Sequence, residues 1–347
     1  MTYSTLFFDD YSEGAHPRIL EALSRTNFQQ DRGYGRDFFT QEATRLIREK
    51  INQPQAAIHF VATGTQANLI SIASILRPYE SVIATHEGHI AVHETGAIEA
   101  TGHKVNLVPS VAGKMTPESI EIILAEHIDE HMVRPRLLYI SQATEVGTIY
   151  TKKELQDLYE FAQRHGLYLF IDGARLGTAL TSPQSDLTLE EIAMYADFFY
   201  IGGTKNGALL GEALVVLNPQ LQDHLRYHIK QRGALMAKTR VITTGFMELF
   251  QDDLYFQNAR HANAMAQKLA LGIEAVGYEL AQPFATNQIF PILPNRVIEE
   301  LEKKYGFYRW LADSAPGHST IRLVTSWATR EEALEAFLHD LVALRSP

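Results

Sequence analysis

The chain has no cysteine among its 347 residues. That excludes disulfide staples, thiolate metal sites and a catalytic thiol, and it fits a reducing cytoplasm. An excess of positive charge is missing too: 41 acidic against 31 basic side chains leave a formal net charge of −10. A nucleic acid or an anionic membrane surface is therefore not the expected partner, although scattered basic residues can still hold a small anion. No apolar run approaches the roughly 18 residues that a membrane span requires. The stretch from Met1 to Asp10 has no basic leader and soon turns acidic, so no signal peptide is expected. Low-complexity tracts and fixed-period repeats are absent as well. What is left is an acidic α/β protein expected in the cytoplasm, and its length together with 46% hydrophobic content suggests two domains.

What is present is an alternation of short apolar runs with longer amphipathic ones. Ala56–Val61, Val82–Thr85, Val105–Val108, Leu137–Ile140, Tyr168–Ile171 and Phe198–Ile201 read as strands that are apolar on both faces. The stretches between them read as helices: Gln66–Leu76, a segment around Ala91–Ala100, Pro117–Glu130 capped by Thr116, and Lys152–His165 closed by Gly166. Strands of this kind joined by helices predict a mostly parallel sheet covered on both sides. Ala213–Leu217 follows too closely for a helical crossover and is expected to run antiparallel. Beyond it lie helical stretches at Leu221–Lys230 and Thr239–Leu271, strands near Asn287–Pro291 and Thr320–Thr325, and a last helix over Arg330–Leu344. The expected organisation is an N-terminal arm (1–20), a large domain (21–240) and a smaller C-terminal α/β domain (241–347).

Open α/β sheets bind ligands beyond the carboxyl ends of their strands. After Val61 comes Thr63-Gly64-Thr65-Gln66, a tight turn opening a helix, whose unpaired amides suit an anion. Alone it is an ordinary cap, and it matches neither the Walker nor the dinucleotide pattern. After Thr85 come His86, His89 and His93, with Glu94. These histidines are loop residues unless they stack on a flat ring or move protons, and no third ligand at metal-site spacing joins them. After Ile171 stands Asp172-Gly173-Ala174-Arg175, which is either an internal ion pair or a carboxylate for a ring nitrogen beside a guanidinium for a substrate carboxylate. After Ile201 comes Gly202-Gly203-Thr204-Lys205-Asn206-Gly207, whose lysine is a surface charge or a desolvated amine reactive toward an aldehyde. Together an anion cup, a stacking histidine, a carboxylate and a lysine are the parts that a pyridoxal 5′-phosphate site needs.

These residues resemble the low-specificity L-threonine aldolases, part of the β-eliminating lyase group with the aminotransferase fold. The likeness rests on Gly64-Thr65-Gln66-Ala67-Asn68, His89 with Glu94, Asp172-Gly173-Ala174-Arg175 and Thr204-Lys205, and extends to Gly33-Tyr34-Gly35 and Arg322-Leu323-Val324-Thr325. It implies a sheet of the seven-stranded type and a lyase that splits a small β-hydroxy-α-amino acid, threonine or allo-threonine, into glycine and an aldehyde. It further implies that Lys205 carries the cofactor, Asp172 meets its nitrogen and His89 stacks on its ring. Gly64, Thr65, Gln66 and Thr204 would hold the cofactor. Arg175 and Arg322, with Ser12 from the arm, would bind the substrate carboxylate. The resemblance also implies a homodimer or homotetramer whose sites lie at a dimer interface. Tyr34 and a basic residue among Lys230, Arg232 and Lys238 would then serve the neighbouring subunit.

Two stretches depart from that pattern. The family's Glu-Asn-Thr-His segment is here Gln142-Ala143-Thr144-Glu145, so Glu145 stands in the histidine's place as a candidate base. The arm, Asp10-Tyr11-Ser12-Glu13-Gly14-Ala15-His16-Pro17, differs from the family's Arg-Ser-Asp-Thr. Both touch substrate handling rather than cofactor binding. The alternatives are β-elimination or other chemistry at Cα with the same cofactor, a non-catalytic phosphate-binding protein, and a metal-dependent hydrolase around His86 and His89. No metal site is expected.

Overall fold

The computed structural model describes residues 3–345. Its main sheet has seven strands, in the order Ala57–Val61, Glu212–Val216, Phe198–Gly202, Tyr168–Asp172, Arg134–Ser141, Glu80–Thr85 and Val105–Val108. All neighbours are parallel except Glu212–Val216, which runs antiparallel to both of its partners. The expected mixed sheet with helices on both faces is therefore present. The connection Gly203–Gly211 is indeed too short for a crossover helix.

Residue parity builds the two cores. On one face Ile58, Ile83, Leu138, Ile140, Leu169, Ile171, Phe199 and Ile201 pack under the helices Phe38–Lys50, Pro117–Glu126, Lys152–Arg164 and Arg240–Phe250. On the other, Val82, Leu137, Tyr139, Phe170, Phe198 and Tyr200 meet the helices Gly64–Ile75 and Leu225–Gln231. Side chains alternate across a strand, so Tyr139, Tyr200 and Asp172 share the face that the Gly64–Ile75 helix covers.

A second sheet uses Glu279–Leu280, Gln288–Ile289, Pro291–Pro294, Tyr308–Ala315 and His318–Val324. It packs with the helices Leu254–Val276, Asn295–Leu301 and Glu331–Arg345 around its own core. The arm joins this part of the molecule: Thr5–Leu6 pairs in parallel with Tyr305–Gly306, and the Val324 amide donates to the Phe7 carbonyl at 3.0 Å. No helix among the described residues is long and apolar enough to cross a membrane.

Several expectations need correction. The stretch 91–100 is not one helix: a single α-helical turn, His89–Val92, is followed by a 3₁₀ turn, Glu99–Thr101. The Pro117 helix ends at Glu126. The stretch 239–271 is two helices broken at Asp252 and Asp253, whose φ of 56° and 58° place them in the left-handed region. The apolar pattern stays in phase across that break, which hides it from a periodicity argument. Helices Pro17–Thr26 and Phe38–Lys50 and the strand Tyr308–Ala315 had no counterpart in the sequence reading.

At the middle of the main sheet the ends of two strands nearly touch. A Cβ on Gly173 would lie 1.8 Å from the Tyr200 carbonyl oxygen, and one on Gly202 would lie 2.4 Å from that of Ala174. The Gly202 amide donates to the Gly173 carbonyl at 2.9 Å, which draws the segments bearing Asp172 and Lys205 together. Gly173→Ala should therefore force backbone apart and cost about 3 kcal/mol or more, measured as a lowered urea midpoint or loss of soluble protein. An unchanged midpoint would show that the close approach is not a constraint.

Candidate active site

A cleft of about 760 Å³ opens beyond the carboxyl ends of the parallel strands. Gly64, Thr65, His89, Glu145, Asp172, Arg175, Thr204, Lys205 and Arg322 all line it. Gln66 and Ser12 do not line it, and each has a physical reason given below.

Asp172 ends its strand and is 3% exposed. Its Oδ1 accepts from the Tyr200 hydroxyl and, at 3.0 Å, from the Ala174 amide. Its Oδ2 accepts from the Tyr139 hydroxyl at 2.5 Å and the Asn68 amide at 3.0 Å. Burial works to raise its pKa, but the nearby His89 and the Tyr139, Tyr200 and Ala174 donors outweigh it and hold the carboxyl below its ordinary value. The same enclosure pushes both tyrosines well above theirs, so they remain donors.

Asn68 also donates to Glu94 Oε1 at 2.6 Å, and that oxygen lies 2.7 Å from His89 Nδ1. Burial raises the Glu94 pKa. Burial opposes protonation of His89 as well, but Glu94, Asp172 and Glu145 together raise its value. The contact with Glu94 thus favours the protonated imidazole. The bond to Glu94 fixes the imidazole plane, as a stacking ring requires.

The Gly64–Ile75 helix opens with Thr63 as its cap. Thr63 Oγ1 accepts from the Gln66 amide at 3.2 Å, and the Gln66 side chain takes the Ala62 amide at 3.1 Å. Gln66 is therefore spent on holding the turn and does not line the cleft. That leaves the amides of Gly64 and Thr65 without an acceptor among the described residues, facing the helix's positive end.

Lys205 sits on the 3₁₀ turn Thr204–Asn206. Its pKa is lowered by burial and by Arg175, against the attraction of Asp10, Glu145 and Asp172. Among the described residues its Nζ has no hydrogen bond or ion pair, and it lies 5.9 Å from the centre of the Tyr11 ring. A lowered pKa eases the loss of the proton that makes such an amine nucleophilic. The preceding Thr204 hydroxyl donates at 2.8 Å to Glu212, a buried acid that sequence reasoning missed.

The two arginines differ. Arg175 Nε and Nη2 bond Asp10 at 2.8 and 3.1 Å, and Asn287 Nδ2 also donates to Asp10 at 2.9 Å. One edge of this guanidinium is filled by the arm, which leaves Nη1 for a ligand. Among the described residues Arg322 has a single bond, from Nη2 to the Phe8 carbonyl at 3.3 Å, and its buried Nε has none. The Tyr308 and Trp310 rings flank it at 5.2 and 4.9 Å. Burial and Arg175 lower its pKa, so it is the cation with most to gain from a carboxylate.

Ser12 does not reach the cleft: it is exposed and its hydroxyl donates to Asp9 at 2.8 Å. The arm delivers Tyr11 there instead, backed by Asp10. Tyr34 lies outside the cleft, exposed, with Lys230 Nζ 4.9 Å from its ring centre. His86 is exposed and does not line the cleft, whereas His93 does. Glu145 lines it and receives the Ser141 hydroxyl at 3.4 Å.

The Beta-eliminating lyase family profile matches residues 9–295. A low specificity L-threonine aldolase of Pseudomonas sp. is 32% identical over 99% of both chains, and one of Escherichia coli K12 is 27% identical over 92% of this chain and 93% of its own. The solved structure of Leishmania major threonine aldolase superposes with a TM-score of 0.97 at 50% identity, covering 99% of this chain and all of that one. A Thermus thermophilus aspartate aminotransferase, 16% identical over 99% of this chain and 92% of its own, shares the fold with a TM-score of 0.72.

The Asp10–Arg175 pair gives a stability test. Removing the acid leaves a buried guanidinium without its partner, so Asp10→Ala should lose about 3–5 kcal/mol at pH 7. Arg175 is the largest of the influences that hold the Asp10 pKa below 3.8, against burial, which raises it. Its contribution is thus complete above the unfolded value and fades as pH falls through the lower folded one. Urea unfolding of both proteins should show a gap that narrows only under acid conditions. A gap independent of pH would contradict the ion-pair account.

Proposed function

Because this chain belongs to the β-eliminating lyase family, we propose that it is a pyridoxal 5′-phosphate-dependent carbon–carbon lyase. Its substrate is a β-hydroxy-α-amino acid, L-threonine or L-allo-threonine, and its products are glycine and an aldehyde. One observation carries this reading: a half-buried lysine, unpaired among the described residues, and a carboxylate held in its charged form line the same cleft as two free helix amides.

The donor set fits that cofactor. The Gly64 and Thr65 amides suit its phosphate, ionised Asp172 suits a protonated ring nitrogen, and the His89 plane suits the ring face. Lys205 suits the aldehyde. When bound, the cofactor supplies an electron sink for bond breaking at the substrate's Cα. The protein's own groups do the rest. Arg322, with Nη1 of Arg175, binds the substrate carboxylate and so fixes which bond at Cα is aligned for cleavage. Glu145 takes the proton from the β-hydroxyl oxygen, the task that the resemblance gives to a histidine. The His89–Glu94 pair holds a second proton at the ring face.

The protein acts in the cytoplasm as a homodimer or homotetramer. The exposed Tyr34 with Lys230 beside it lies outside its own cleft, which supports a role at the neighbouring subunit's site.

Purified protein should absorb visible light, and mass spectrometry after borohydride reduction should find the adduct on Lys205; an adduct elsewhere, or none, rejects the assignment. Lys205→Ala should abolish turnover. Threonine, allo-threonine and phenylserine should yield glycine and aldehyde, whereas pyruvate from serine as the dominant product would favour β-elimination. Glu145→Gln should lower kcat by about 10²–10⁴ with little change in KM; a loss confined to KM would make Glu145 a binding group.

A further inference from the structure

Glu212 is a buried acid for which the mechanism above has no use. It opens the antiparallel strand, where it pairs with Gly202 on one side and Val61 on the other. Those neighbours are the last residues before the Lys205 loop and the Thr63-Gly64-Thr65 turn, so Glu212 lies between the two segments assigned to the cofactor. It is 4% exposed and lines the cleft. Oε1 accepts from the Thr204 hydroxyl at 2.8 Å and Oε2 from the Gly203 amide at 3.0 Å. The Thr204 oxygen in turn accepts from the Gly211 amide at 3.0 Å. No salt bridge involves Glu212 among the described residues.

We propose that Glu212 serves cofactor binding as the neutral acid: it positions Gly203 and Thr204 and keeps a proton at the phosphate end of the cleft, so that the phosphate binds together with one proton held by Glu212. The inference rests on the reading of this cleft as a pyridoxal phosphate site. An ionised carboxylate here would repel a phosphate dianion across a buried space, where charges are poorly screened. The neutral acid removes that repulsion and adds an O–H donor.

The surroundings agree. Burial pushes the Glu212 pKa up to about 8; the Thr204 and Gly203 bonds and the Lys205 charge pull the other way, and Asp172 adds to the rise. The remaining titratable neighbours, Tyr200 and Tyr255, both have raised pKa values and stay neutral. A phosphate dianion nearby favours protonation further.

The sign follows from linkage. If the protonated acid binds phosphate better, affinity falls as pH rises through its pKa, by up to about tenfold per unit. Cofactor is resolved from the holoenzyme and pyridoxal 5′-phosphate is titrated back at pH 7.5 and 9.5, followed by protein fluorescence. The ratio of the wild-type dissociation constant to that of Glu212→Gln, which imitates the neutral acid, should rise about tenfold over this interval. Glu212→Ala should bind weakly at both pH values, since it lacks the bonds to Gly203 and Thr204. Calorimetry at pH 8.5 in two buffers of different ionisation heat should show the wild type taking up more protons with pyridoxal 5′-phosphate than with pyridoxal. That excess needs no variant and stands even if a substitution prevents folding.

A constant ratio, or equal proton uptake with the two compounds, overturns the role of Glu212. Failure of the wild type to bind pyridoxal 5′-phosphate at Lys205 at either pH overturns the underlying assignment of the cleft instead.

Discussion

Everything in the cleft is arranged around a negative charge that has no right to be where it is. Asp172 sits at the end of a central strand with almost no water, and an isolated carboxylate there would take up a proton. The charge of His89 and four hydrogen-bond donors prevent it. Two are tyrosines whose own ionisation is suppressed by the same burial, one is a helix asparagine and one is a backbone amide. Because the tyrosines come from the strands on either side, part of that stabilisation is built into the sheet itself.

That charge also organises its surroundings at a distance. Asn68 divides its two protons between Asp172 and Glu94, and Glu94 holds His89, so the ring-facing histidine and the acid are oriented through one amide. On the other side the glycine contact at Gly173 and Tyr200 sets how near the lysine turn can come. Substrate-facing groups are built differently. The Arg322 strand belongs to the second sheet, and Arg175 is trimmed by an acid from the arm, so carboxylate recognition is assembled from three parts of the chain.

How much of this could be read in the sequence follows from the range of each interaction. The strands, the antiparallel reversal and the positions of Asp172, His89 and Lys205 were legible, because apolar runs ending in polar residues mark the mouth of a sheet. The tyrosine donors were not read, although parity alone places Tyr139, Tyr200 and Asp172 on one face. Each tyrosine counted as an apolar core residue and its hydroxyl was overlooked. Glu212 carried a weaker signal, an acid opening a wholly apolar strand. The Asp10–Arg175 pair and the aromatic flanks of Arg322 carried none, since they join residues 165 or more positions apart or from an exposed strand without periodicity. The break at Asp252 and Asp253 was hidden by in-phase hydrophobics on both sides. Gln66 and Ser12 were misplaced for one reason: a polar side chain near a site is as easily used up by its own turn.

The pairing of the arm with Tyr305–Gly306 has a consequence for how the polypeptide is made. Thr5 and Leu6 are synthesised some three hundred residues before the strand that receives them. Until then the arm has no edge to dock on, Asp10 cannot settle on Arg175, and the guanidinium remains hydrated. Such sequence-distant closure is entropically late. The central sheet can therefore form during synthesis with an open mouth, and the substrate end of the cleft closes only after Tyr305 and Gly306 have been made.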